Sequence, residues 1–112
     1  MISLILALQA EVVKTVVTEG NGVDYPKEGQ MVTVDYIGIL NNEEKLKVDT
    51  SEYGTALTIK LGQSWVMPGW DLCIAQMSLG EKASCVIPNE LTLGDRFGKF
   101  DVTYEFTLKK IE

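Results

Sequence analysis

Apolar and polar positions alternate along most of this chain, with the period of two that belongs to half-buried β-strands. In 31–40 (MVTVDYIGIL), Val32, Val34 and Tyr36 fall on one side, and Thr33, Asp35 and Ile37 on the other. In 101–111, Val102, Tyr104, Phe106 and Leu108 share a face; in 56–61, Leu57, Ile59 and Leu61 do. The β-branched run 11–18 (EVVKTVVT) reads as a strand with Lys14 and Glu19 toward solvent. Segments 45–51 and 81–87 complete the set. Clusters of turn formers separate them: 20–22 (GNG), 25–29 (YPKEG), 41–44 (NNEE) and the loop 88–99.

One stretch has a different period. In 66–80 (VMPGWDLCIAQMSLG), Trp70, Ile74 and Met77 stand at i, i+4 and i+7, which is one stripe of a helix. Pro68 suits the first helical turn, where its missing N–H would go unpaired anyway. Asp71 places a negative charge near the positive end of the helix dipole, and Gly80 is a stop just beyond the stripe. The expected fold class is α+β: a twisted antiparallel sheet of five to six strands wrapped around one short helix. The strands are expected to run as a meander, with the helix between the fourth and fifth. A concavity then lies between the helix start and the inner face of the sheet, with the Trp70 ring pointing into it.

Composition narrows the chemistry. The 112 residues suffice for one domain with its own core. Residues 11–112 form that domain, and the apolar residues 1–10 are an N-terminal extension or an extra edge strand. Residues 1–8 have no basic flank and are short for a secretory signal, and no window approaches a membrane span. A net charge of −6 with no basic cluster argues against nucleic acid and anionic membrane surfaces. Histidine is absent, which removes the commonest general base and metal ligand, so neither a metal nor a cofactor is expected. Cys73 and Cys85 have no metal spacing and read as buried reduced thiols, pointing to a reducing, cytoplasmic compartment. Most carboxylates (Asp35, Glu43, Glu44, Asp95, Asp101) belong to a solvated rim. A chain without nucleophile, metal or cofactor has few reactions open to it, and rotation about an amide bond is one.

Four ordered pieces carry a resemblance. They are Pro26-Lys27-x-Gly29-Gln30; Val34-x-Tyr36-x-Gly38-x-Leu40; Val48-Asp49-Thr50-Ser51; and Leu61-Gly62 followed by Val66-Met67-Pro68-Gly69-Trp70 and Ala75-Gln76-Met77-Ser78-Leu79-Gly80-Glu81. Together they resemble the FKBP family of peptidyl-prolyl cis–trans isomerases, the immunophilins that bind rapamycin-type macrolides. The resemblance implies a pocket made by Tyr36, Val48, Asp49, Leu57, Val66, Met67, Trp70, Leu93 and Tyr104. In it Trp70 is the floor, Tyr36 and Tyr104 the aromatic sides, and Met67 an apolar contact with a backbone N–H for a ligand carbonyl. Asp49 projects inward, and with Tyr36, Trp70 and Tyr104 it forms the implied catalytic set. The implied partners are proline-containing polypeptides and, weakly, macrolides, met by a monomer.

The chain also departs from the family pattern. Leu93 stands before Gly94 where active members carry a tyrosine, and Leu91 replaces an aromatic two residues earlier. The loop 95–99 is shorter than in the family, and Val48 and Leu57 stand where phenylalanines are usual. Two functions therefore follow from the resemblance: a weakened prolyl isomerase, or an FKBP-like domain that has lost catalysis and binds proteins.

Overall fold

The structure, a computed structural model, describes residues 11–51, 55–92 and 98–112, with Val48 described by its backbone alone. The elements are β1 (Val13–Thr18), β2 (Met31–Leu40), β3 (Lys47–Thr50), β4 (Leu57–Lys60), α1 (Pro68–Ile74), β5 (Lys82–Ile87), a 3₁₀ turn (Asn89–Leu91) and β6 (Val102–Ile111). The six strands form one antiparallel sheet in the order β1-β5-β6-β2-β3, with β4 also paired to β2.

β2 is the organising strand. One edge pairs with β6 from Val32 to Leu40. The other edge is shared: β4 takes 31–34 and β3 takes 37–39. Ser51 fills the gap between them, because its Oγ accepts from the Tyr36 N–H at 3.1 Å and its own N–H donates to the Tyr36 carbonyl at 2.9 Å. The expected meander is thus corrected, since β1 pairs with β5 and β2 with β6 across long connections. Alternation fixes which face a residue takes but not which strand lies beside it.

The alternating positions bury one face of this sheet. Val32, Val34, Ile59, Ala83, Cys85, Ile87, Val102, Tyr104, Phe106 and Leu108 are all buried, while Ile37 points outward and is exposed. Trp70, Cys73 and Ile74 of α1, with Met67 and Met77 on either side, close the core over that face. The other sheet face meets water, as antiparallel sheets allow.

α1 has 7 residues and ends at Ile74, well short of Gly80. Beyond it the chain tightens into i→i+3 turns, with the Gln76 N–H donating to the Cys73 carbonyl and the Met77 N–H to the Ile74 carbonyl. The Gln76 side chain also caps the Leu72 carbonyl at 3.0 Å. Met77 therefore keeps its place in the core without being helical. Gly80, at φ +87°, turns the chain into β5 instead of ending the helix.

Two further expectations are overturned. Cys73 and Cys85 form a disulfide that ties α1 to β5. A separation of 12 residues does not distinguish thiols from a bridge, but a helix lying on its own downstream strand brings them together. Gly69 shows how close that approach is: a Cβ there would collide with the Ile87 side chain. Lys14, expected in solvent, ion-pairs with Glu81 at 2.7 Å, and Glu81 is only 4% exposed. The reason is register. Lys14 pairs with Cys85, so the two share a face, and Cys85 faces the core.

The disulfide predicts a simple chemical result. Protein unfolded in guanidinium without reductant should show no thiol reactive toward an aromatic disulfide reagent, and two after reduction. Closing so short a loop should contribute about 3 kcal/mol to stability, lost on reduction. Two reactive thiols before reduction would contradict the bridge.

Candidate active site

The site begins at the tight turn that carries the chain from β4 into α1. Gly62 (φ +74°) and Ser64 (φ +60°) both adopt the left-handed conformation there. Asp71, in the first turn of α1, accepts from the Gly62 N–H at 2.9 Å and so ties this turn to the helix. Met67 precedes the helix in extended conformation, and its carbonyl accepts the Trp70 N–H at 3.0 Å. Pro68 then fixes the first turn, which sets Trp70 facing the sheet.

Three rings surround that indole. Tyr36 lies 4.7 Å away at 62°, Tyr104 at 5.1 Å and 72°, and Phe106 at 4.9 Å and 79°. All three are the edge-to-face arrangement that aromatic quadrupoles favour, each adding about 0.5–1.5 kcal/mol beyond buried area. Tyr104 and Phe106 stack on each other at 5.6 Å and 11°. The indole Nε1 is buried without a hydrogen-bond partner among the described residues. A buried donor left unpaired costs about 1–3 kcal/mol, which the ring contacts must outweigh.

Gly38 gives Tyr104 its direction. In the sheet, Gly38 pairs with Tyr104 on β6 and with Asp49 on β3, so the three residues lie in one row. A Cβ on Gly38 would stand 2.7 Å from Tyr104 Cε1. Without it, the tyrosine crosses over β2, and its Oη donates to Asp49 Oδ2 at 3.0 Å. The other Asp49 oxygen, Oδ1, accepts the Thr50 N–H at 3.1 Å. The Asp49 carboxylate is thereby held from below and from the side.

Above these rings opens a cavity of about 300 Å³ lined by Tyr36, Asp49, Leu57, Trp65, Val66, Met67 and Trp70. Six of the nine residues named from the sequence thus line one hollow. Tyr104 is fully buried behind that lining, with its ring against Trp70 and its hydroxyl on Asp49. Val48 is on β3, and Leu93 lies outside the described residues, as does most of the shortened loop. Sequence reasoning missed Trp65 at the mouth and Phe106 beneath Trp70. Phe106 was readable only as one more inward position on its strand. Trp65 falls in the gap between two of the quoted motif pieces.

The sequence model described as FKBP-type peptidyl-prolyl cis-trans isomerase matches residues 22–109. The chain belongs to the FKBP family. It is 40% identical over 78 residues to FK506-binding protein 1 of Eremothecium gossypii, covering 69% of this chain and 67% of that protein. It is 38% identical over 84 residues to a peptidyl-prolyl cis-trans isomerase of Schizosaccharomyces pombe, covering 74% of this chain and 73% of that one. Among solved structures it is similar to FkpA from Escherichia coli, with a TM-score of 0.76 at 29% identity over 90% of this chain. The three FKBP domains of wheat FKBP73 give a TM-score of 0.82 at 25% identity, again over 90%. This chain spans about half of each of those two, 48% and 46%. The α+β sheet-and-helix fold of this FKBP is the one those structures share.

Asp71 provides a pH test of the turn beneath the mouth. Partial burial, reinforced by the Glu28 charge, raises its carboxyl above the ordinary 3.8, although the Gly62 N–H opposes the shift. The folded protein therefore holds this proton more tightly than the unfolded chain does. This contribution is fully present below the ordinary value and fades as pH rises through the raised one. Asp71→Asn keeps an acceptor for Gly62 and removes the titration. Its stability relative to the parent, from urea unfolding, should climb from about pH 3 to neutral and then level. A difference independent of pH would contradict the assignment.

Proposed function

We propose that the cavity over Trp70 binds the prolyl ring of polypeptide substrates and accelerates rotation about the preceding amide. The observation that carries this reading is the floor itself: an indole locked by three rings beneath a hollow walled by Tyr36, Leu57, Val66 and Met67. Membership of the FKBP family and similarity to the peptidyl-prolyl cis-trans isomerase of Schizosaccharomyces pombe support it.

The mechanism needs no acid or base. The barrier to rotation, about 18–20 kcal/mol, comes from resonance across the C–N bond. Water favours the planar, more polar ground state. A dry ring-lined cavity withdraws that preference and holds the prolyl ring while the carbonyl turns, so the twisted amide binds more strongly than the planar one. Each tenfold acceleration requires about 1.4 kcal/mol of such difference. Asp49, buttressed by Tyr104, supplies a fixed polar edge for the backbone groups flanking the proline.

The substrates in this reading are flexible proline-containing chains, met by a monomer without a cofactor. Macrolide binding is weak in this reading. The cavity sits at the lower end of the range for small-molecule sites. Leu57, 38% exposed, gives a softer rim than the usual phenylalanine, and Leu93 has no hydroxyl to offer a ligand carbonyl. One lost hydrogen bond and two trimmed rings each cost about 0.5–1.5 kcal/mol, enough together for roughly a hundredfold loss. The cytoplasmic placement read from free thiols loses that support, since both cysteines are bonded. No helix among the described residues is long and apolar enough to cross a membrane.

A protease-coupled assay on a short prolyl peptide tests the proposal. The expected result is acceleration proportional to enzyme concentration, slower than a full-strength isomerase, and inhibited by rapamycin only at micromolar concentration. A rate equal to the uncatalysed one would overturn the catalytic reading and leave a binding module.

A further inference from the structure

Trp65 lines the same cavity as Trp70, but its side chain is spent quite differently. It remains 57% exposed, whereas Trp70 is 3% exposed and boxed by rings. The turn that carries it is tied to α1, because Asp71 accepts from the Gly62 N–H, and Gly62 and Ser64 within it are left-handed. An indole that lines the cavity and is more than half exposed is within reach of whatever enters beside the prolyl ring.

Among the described residues, the charged groups that line the cavity or pack at the base of this turn are acidic. Asp49 lines the cavity with Trp65, and no lining residue among those described is basic. Glu28 and Asp71 both pack at Gly62, the base of the same turn, and the chain carries a net charge of −6. Lys60, exposed at the end of β4, is the nearest cation in sequence. A cation over an indole face is attracted by the ring quadrupole, and nearby carboxylates add to that attraction.

We infer that Trp65 is a specificity-determining residue that selects a cationic side chain, arginine or lysine, next to the substrate proline. This rests on the prolyl-isomerase reading of the cavity. The prolyl ring occupies the hollow over Trp70, and the flanking residue is only one Cα–Cα step, about 3.8 Å, away. Its guanidinium or ammonium then lies across the Trp65 face on the side of Asp49.

The experiment measures kcat/KM for two peptide series at low salt. One varies the residue before proline and the other the residue after it, among arginine, leucine, alanine and glutamate. In one series the arginine peptide should exceed the alanine peptide by roughly two- to fivefold, with glutamate lowest. Trp65→Leu keeps apolar bulk and removes the π-face, so the arginine-to-alanine ratio should fall toward one. Because Trp65 is largely exposed, the variant folds, and its unfolding midpoint checks this. Leucine exceeding arginine in both series, or a ratio unchanged in Trp65→Leu, would overturn the assignment while leaving the isomerase reading intact. No acceleration of any peptide would instead defeat the isomerase reading itself.

Discussion

Everything at this site depends on one missing side chain. Gly38 leaves the surface of β2 bare, and Tyr104 uses the space to cross the strand and reach Asp49. A tyrosine lying flat over a strand then becomes a wall for Trp70, which stands at 72° to it, while Tyr36 and Phe106 close the other sides. Alanine at position 38 would force the ring aside or bend the sheet, and overpacking of that kind costs about 1–3 kcal/mol. The position of the carboxylate, the orientation of the indole and the floor of the cavity are therefore one packing problem with one solution.

A helix of 7 residues cannot hold the indole in place by itself. Segments so short are unstable in water, and their order comes from tertiary contacts. Here the contacts are unusually direct. Gly69 lets the helix backbone sit against Ile87, the disulfide bonds Cys73 to Cys85, and Asp71 ties the preceding turn to the first helical turn. Cys85 is the register partner of Tyr104 on β6, so the bridge anchors α1 beside the tyrosine that braces its tryptophan. On the far side the Lys14–Glu81 pair, with the Ser78 N–H also donating to Glu81 at 3.0 Å, fixes the connection that follows the helix. The result is a rigid floor beneath an open mouth, the division of labour that binding sites on packed scaffolds require.

Much of this was legible in the residues, for identifiable reasons. Strict alternation marked the strands and their inner faces, because burial on one side is what a period of two encodes. Pro68 and Asp71 marked the helix start. The helix end was not legible, because Met77 continues the apolar stripe while its backbone has already left the helix. Strand order, the disulfide and the burial of Lys14 share one cause: each depends on which segments become neighbours, and alternation is silent about partners. At the cavity, the motif residues Tyr36, Asp49, Val66, Met67 and Trp70 were readable by position, as was Leu57. Tyr104 was readable as aromatic but not as a brace, since only the register row through Gly38 shows where its hydroxyl goes. Trp65 had no periodic partner, and only the conformation of its turn places it at the mouth.

The central claim is that a proline enters the hollow and rests on the Trp70 indole. Intermolecular nuclear Overhauser effects between a prolyl peptide and the protein test this most directly. Contacts are expected from the prolyl ring protons to the Trp70 indole and the Met67 methyl, with the prolyl resonances shifted upfield by the ring current. Contacts confined to other surfaces, with the Trp70 resonances unmoved at saturating peptide, would contradict it.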